Sequence, residues 1–140
     1  MAYDDERESW TEKAMVDRVK IELQNEGYVV SVEHRLRFRR RVDMVVFHNA
    51  PKVTFRRGRL ITGDGRGDIA FIIEAKVSHE LGAVGQLLAD RIELQTQAPM
   101  VLLVPSGCYS QVLQKVCDQL GIEIWVDKIR GKKVIPLIGA

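Results

Sequence analysis

Glu74 and Lys76 stand near the end of an apolar, β-branched run, Ile69–Val77. Runs of this composition form buried strands, in which an acid and an amine are costly unless paired, hydrogen-bonded or bound to metal. Strand alternation puts Ile72, Glu74 and Lys76 on one face and Phe71, Ile73, Ala75 and Val77 on the other. A strand-end ion pair would account for the two opposite charges. A metal-dependent phosphodiesterase centre would require a second carboxylate, and Asp43 opens another apolar run in the context Arg-Val-Asp-Met-Val-Val. Antiparallel pairing of the two runs could carry Asp43 beside Glu74. Carboxylates so placed repel unless a cation joins them, and hard oxygen ligands favour magnesium or manganese. Lys76 would then stabilise developing negative charge or orient an attacking water.

The elements that must position these groups follow from periodicity and punctuation. A helix is expected from Ser9 or Thr11 to Glu26, stopped by Gly27, with Met15, Val16, Val19 and Leu23 as its apolar stripe. Glu12 falls on that stripe, which is unusual for an acid unless it serves a site. Strands are expected from Tyr28 to about Phe38 and over Val42–His48. Residues 49–67 form a basic insertion, in which Val53–Arg56 and Arg59–Thr62 could make a small hairpin around Arg57-Gly58, with Gly63–Gly67 mobile. After the Glu74 strand a helix is expected from Ser78 or Gly82 to Thr96, its stripe being Val84, Leu87, Leu88, Arg91 and Ile92. Met100–Val104 reads as a buried strand, Tyr109–Leu120 as a helix closed by Gly121, Ile122–Val126 as a strand, and Lys128–Leu137 as a last hairpin. The order α-β-β-β-α-β-α-β predicts an α/β protein with a mixed sheet and helices on both faces.

Composition narrows the function classes. A chain of 140 residues, 46% apolar, fits a single domain spanning 1–140. No apolar stretch approaches the roughly 18 residues that span a bilayer, and the start Asp4-Asp5-Glu6 is unlike a signal peptide, so an intracellular chain without membrane contact is expected. Cys108 and Cys117 lack metal-ligand spacing and read as buried free thiols, which leaves any metal to oxygen ligands. Net charge is only +2, yet arginine gathers in mid-chain as Arg35, Arg37, Arg39, Arg40 and Arg41, then Arg56, Arg57 and Arg59. On a continuous strand Arg35, Arg37, Arg39 and Arg41 would share the face leading to Asp43 and could bind backbone phosphate. A solvated, charge-protected edge strand is the plainer reading.

Asp43 together with Glu74-Ala75-Lys76 resembles the acid and the (D/E)XK element of the PD-(D/E)XK phosphodiesterase superfamily, with Val42 where many members carry proline. Gly85-Gln86-Leu87 is similar to the glutamine motif of RecB-like members, with Asp90 where an aromatic residue is common. Glu12 resembles the acid that archaeal Holliday-junction resolvases place near the metal. The resemblance covers roughly residues 9–105. It implies a restriction-endonuclease-like αβββαβ core extended by a C-terminal helix and strands, and a magnesium- or manganese-dependent nuclease acting on DNA, branched or single-stranded structures included. It further implies catalysis by Asp43, Glu74, Lys76, Glu12 and Gln86, metal binding by Asp43, Glu74, Ala75 and Glu12, and compatibility with a homodimer. Asp68 is a competing acid on the Glu74 face, but it lies about 20 Å away along an extended strand. A nucleic-acid-binding or scaffold domain that keeps the fold without catalysis is the second reading, because fold does not establish activity.

Overall fold

The computed structural model describes residues 11–37, 40–63, 65–77, 81–106 and 110–127. In chain order the elements are α1 (Glu12–Asn25), β1 (Val29–Arg35), β2 (Arg41–Asn49), β3 (Lys52–Arg56), β4 (Arg59–Gly63), β5 (Arg66–Ala75), α2 (Leu81–Glu93), β6 (Met100–Pro105), α3 (Gln111–Leu120) and β7 (Ile122–Asp127). Five strands form one sheet in the order β1-β2-β5-β6-β7, and β3 and β4 form a separate two-stranded ribbon. The first three strands of the sheet pair antiparallel. The parallel pairings of β5 with β6 and β6 with β7 follow from the crossovers through α2 and α3. The sheet is therefore mixed, with helices on both faces.

Each layer follows from a simple pattern. Thr11 caps α1 by accepting a hydrogen bond from the Ala14 N–H at 3.1 Å, and Gly27, at φ 97°, reverses the chain after it. The buried stripe of α1, Met15, Val16, Val19 and Leu23, packs on Met44, Val46, Ile73, Ala75, Val101, Leu103 and Trp125. On the opposite face Val45, Ile72, Met100, Leu102 and Ile124 meet Ala83, Val84 and Leu87 of α2 and Leu113 and Cys117 of α3. Ser110 caps α3 and Gly121, at φ 71°, ends it. Fully burying a side chain such as Ile72 or Ile73 contributes about 1.5–3 kcal/mol each, so β5 is the centre of the core as well as of the sequence argument.

Several expected boundaries move. The first strand stops at Arg35 rather than running to Phe38, because the Leu36 N–H turns back to the Arg40 carbonyl at 2.9 Å and the chain enters β2 at once. Arg35 and Arg41 are then cross-strand partners, and the expectation of one continuous arginine face from Arg35 to Arg41 does not hold. The hairpin in the insertion forms over nearly the expected residues, with Arg57 and Gly58 at its turn, both at positive φ. Within Gly63–Gly67, expected to be a mobile loop, Gly63 closes β4 and Arg66 opens β5, while Asp64 falls outside the described residues. Pro99 and Thr96 lie beyond α2, which ends at Glu93. Arg39, Phe38, Ser9, Ser78, Cys108, Tyr109 and the hairpin expected at Lys128–Leu137 fall outside the described residues. No helix among the described residues is long and apolar enough to cross a membrane.

Candidate active site

Asp43 and Glu74 come together where β2 and β5 part. Their ladder is regular from the pair Val46 and Phe71 to the pair Met44 and Ile73, with register shifts only beyond Val46. One residue further, the Asp43 carboxylate replaces a main-chain partner: its Oδ2 accepts the Ala75 N–H at 2.8 Å. Asp43 and Glu74 lie on the face shared by Val45 and Ile72, which is the face covered by α2. The next strand completes the scaffold, since Glu74 is in register with Leu102 and the Lys76 N–H donates to the Leu103 carbonyl at 3.0 Å.

Helix α2 adds a third carboxylate, Asp90, at the position where an aromatic residue is common in RecB-like members. Asp90 is fully buried and lines the same cleft as Glu74. The apolar stripe of α2 runs through Ala83, Val84 and Leu87 and ends on Asp90, while Ile92, expected in that stripe, is 77% exposed. Arg91, expected to reach out from the stripe, bonds the Thr96 carbonyl and the Gln97 side chain instead. The signal for Asp90 was the i, i+3, i+4, i+7 series from Ala83, which points to position 90 as readily as to 91.

The electrostatics follow from crowding acids out of water. Glu74 is 4% exposed, and its carboxyl is pushed up to about 10, first by burial, then by the neighbouring carboxyls of Asp90 and Asp43. Burial also raises the Asp90 carboxyl, opposed by the neighbouring Glu74 carboxyl and by Arg40. Arg40 bridges from the β1–β2 turn to α2, binding Asp90 Oδ1 at 2.7 Å and Glu93 Oε1 at 2.5 Å. The other Asp90 oxygen, Oδ2, is buried without a hydrogen-bond partner. Above the carboxylates a cleft of about 170 Å³ opens, lined by Arg40, Arg41, Glu74, Gln86 and Asp90.

The other candidate residues divide. Gln86 is exposed on the rim of the cleft and Lys76 is half-buried just past the end of β5. Ala75 faces the α1 side and contributes its N–H to Asp43. Glu12 opens α1, the helix on the opposite face of the sheet; it is half-buried, and no hydrogen bond or ion pair joins it to Asp43 or Glu74. Asp68 is exposed in the part of β5 that pairs beyond Phe47, at the far end from Glu74. Arg35, Arg37 and Arg41 are exposed around the β1–β2 turn, with Arg41 3.5 Å from Glu33 in a surface pair of little energetic weight. Arg56, Arg57 and Arg59 sit on the ribbon, beyond the other end of β2 and β5. The mid-chain arginines therefore form two separate groups.

An oxygen-only donor set with an orphaned buried carboxylate oxygen fits a hard divalent cation in kind. Its spacing is not preformed, for among the described residues no three histidine, cysteine, aspartate or glutamate side chains stand ready to hold a metal ion. Cys117, a buried thiol raised to about 11 by burial and the nearby Asp118, belongs to the α3 core and takes no part. Comparison of the chain with protein-family models, curated protein sequences and solved structures gives no match to any of them.

Proposed function

We propose that the cleft between β2, β5 and α2 is the centre of a divalent-metal-dependent nuclease with a restriction-endonuclease-like core, hydrolysing phosphodiester bonds of DNA. The observation that carries the reading is the convergence of Asp43, Glu74 and Asp90 into one largely buried carboxylate cluster beneath a cleft rimmed by arginine. Bringing three acids together out of water is costly, and Arg40 compensates only one of them.

Asp43, Glu74 and Asp90 would hold a magnesium or manganese ion, with the Ala75 main chain beside them. Asp90 takes the third place here in preference to Glu12, because it lines the same cleft as Glu74 whereas Glu12 begins a helix on the other face. The bound ion would supply an activated water and a counter-charge to the phosphate. The chain's own part is to position. Asp43 is fixed by the Ala75 N–H, Glu74 would hold the ion in its deprotonated form, and Arg40 could exchange Asp90 for substrate phosphate, a ligand that matches its planar donor fork. Lys76 offers a cation at the strand end and Gln86 an amide at the rim.

The Arg40–Asp90 ion pair also favours a second reading, in which arginine has replaced the metal and the domain binds nucleic acid without cutting it. The two readings separate on a panel of linear, flapped and four-way DNAs incubated with magnesium. Cleavage by the wild-type protein, abolished by chelation and by Asp43→Ala, Glu74→Ala or Lys76→Ala in proteins that remain folded, is the expected result. Binding without cleavage would decide for the second, and full activity in Glu74→Ala would overturn the catalytic site proposed here.

A further inference from the structure

The ribbon β3–β4 carries more apolar surface than a solvated loop needs. Cross-strand register puts Val53, Phe55, Leu60 and Thr62 on one face, and Lys52, Thr54, Arg56, Arg59 and Ile61 on the other. Neither face is covered: every ribbon residue is exposed, with Phe55 at 76%, Leu60 at 61% and Val53 at 58%. An isolated two-stranded hairpin is only marginally stable in water, so this exposure implies a function.

The ribbon is nonetheless held by its base. It prolongs the antiparallel pair of β2 and β5, closed by an Ala50 N–H to Gly65 carbonyl bond of 2.8 Å. Gly65 is buried against the Ala50 carbonyl and the Lys52 side chain, where a Cβ would collide. Asp43 to Asn49 spans roughly 20 Å of β2, so the ribbon starts about that far from the cleft and extends beyond it.

Charge selects the occupant. All charged residues from Lys52 to Gly63 are basic, namely Lys52, Arg56, Arg57 and Arg59. A second copy would bring the same charges face to face with them. Residues 128–133 of the same chain, with Lys128, Arg130, Lys132 and Lys133, are like-charged too, whereas the stretch Asp4–Glu8 is opposite in charge. A polyanion with apolar planar faces satisfies both sides of the ribbon. We infer that the β3–β4 ribbon binds unpaired nucleotides of the nucleic-acid substrate, with Phe55 as a stacking platform beside Leu60 and with Arg56, Arg57 and Arg59 on the backbone phosphates. This rests on the nuclease reading of the cleft and deepens it: the preferred substrate has a single-stranded segment roughly 20 Å or more from the scissile bond.

The test is equilibrium binding in EDTA, so that cleavage plays no part, of a tailed duplex DNA with 2-aminopurine in the tail and of a blunt duplex of equal length. Phe55 is exposed, so Phe55→Ala should leave the fold intact, and circular dichroism checks this. Phe55→Ala should weaken tailed-DNA binding at least fivefold, the lower bound for one stacked base, and abolish the 2-aminopurine signal, while blunt-duplex affinity stays unchanged. Phe55→Trp should restore both. Equal losses on the two DNAs, or none, would overturn the inference. A Phe55→Ala effect that vanishes when residues 1–8 are deleted would overturn the assignment to nucleic acid. So would a Phe55→Ala defect confined to vesicles of anionic lipid, or confined to self-association in sedimentation. Stacking in a protein that never cleaves would defeat the nuclease reading and leave the ribbon's role standing.

Discussion

Glu74 is the residue through which the site couples to stability. Its carboxyl is raised from 4.5 to about 10, so between those values the folded chain holds a proton that the unfolded chain has lost. The folded state binding the extra proton, stability of the metal-free protein is fully present below about pH 4.5 and falls as pH rises towards 10. Asp90, also raised, contributes with the same sign. Glu74→Gln keeps the neutral form at every pH. Thermal melts in EDTA should therefore show the variant more stable than wild type at pH 8–9 and the two converging near pH 5; parallel melting curves across that range would contradict the burial argument. Asp90→Asn should reduce metal-dependent cleavage at least tenfold, whereas Glu12→Gln should have a much smaller effect, and a kinetic comparison of the two decides which acid is the third ligand.

The β2–β5 pair was legible in the sequence because period-two apolar runs, the Asp43 context and Glu74-Ala75-Lys76 all point the same way. The ribbon was legible too, its apolar alternation flanking Arg57-Gly58. The turn between β1 and β2 was not, since Phe38–Arg41 contains no glycine or proline, and the arginines drew the strand too far. Asp90 was hidden by its type: an acid on a helix reads as solvent-facing until tertiary packing turns that face inward. Glycines test the elements themselves. A Cβ at Gly67 would lie 2.9 Å from the His48 carbonyl oxygen, and one at Gly65 closer still to Ala50, so Gly65→Ala should cost about 1–3 kcal/mol and several degrees of Tm. Gly85→Ala, in mid-helix with nothing within 4 Å, should instead gain about 0.5–1 kcal/mol, and chemical denaturation of both proteins checks the pair.

At the scale of the whole molecule the basic residues gather at two ends of the same strands. Arg40 and Arg41 line the cleft with Arg35 and Arg37 on the adjoining β1–β2 turn, and Lys52, Arg56, Arg57 and Arg59 lie on the ribbon, so a modest net charge of +2 conceals two separate basic groups. Affinity for DNA should fall steeply with salt, and neutralising one phosphate-contacting arginine in either group should reduce the log–log slope by about one. A slope unchanged by Arg41→Ala and by Arg57→Ala alike would remove both groups from the interface.

All of this depends on the carboxylates of Asp43, Glu74 and Asp90 meeting a divalent cation, and calorimetric titration of the full chain with manganese measures that without reference to any substrate. The account predicts one saturable site in the wild-type protein, proton release on binding that follows from the protonated Glu74, and affinity weakened at least tenfold in Glu74→Ala and in Asp90→Asn. No saturable binding in the wild-type protein, or binding that survives both substitutions undiminished, would contradict it.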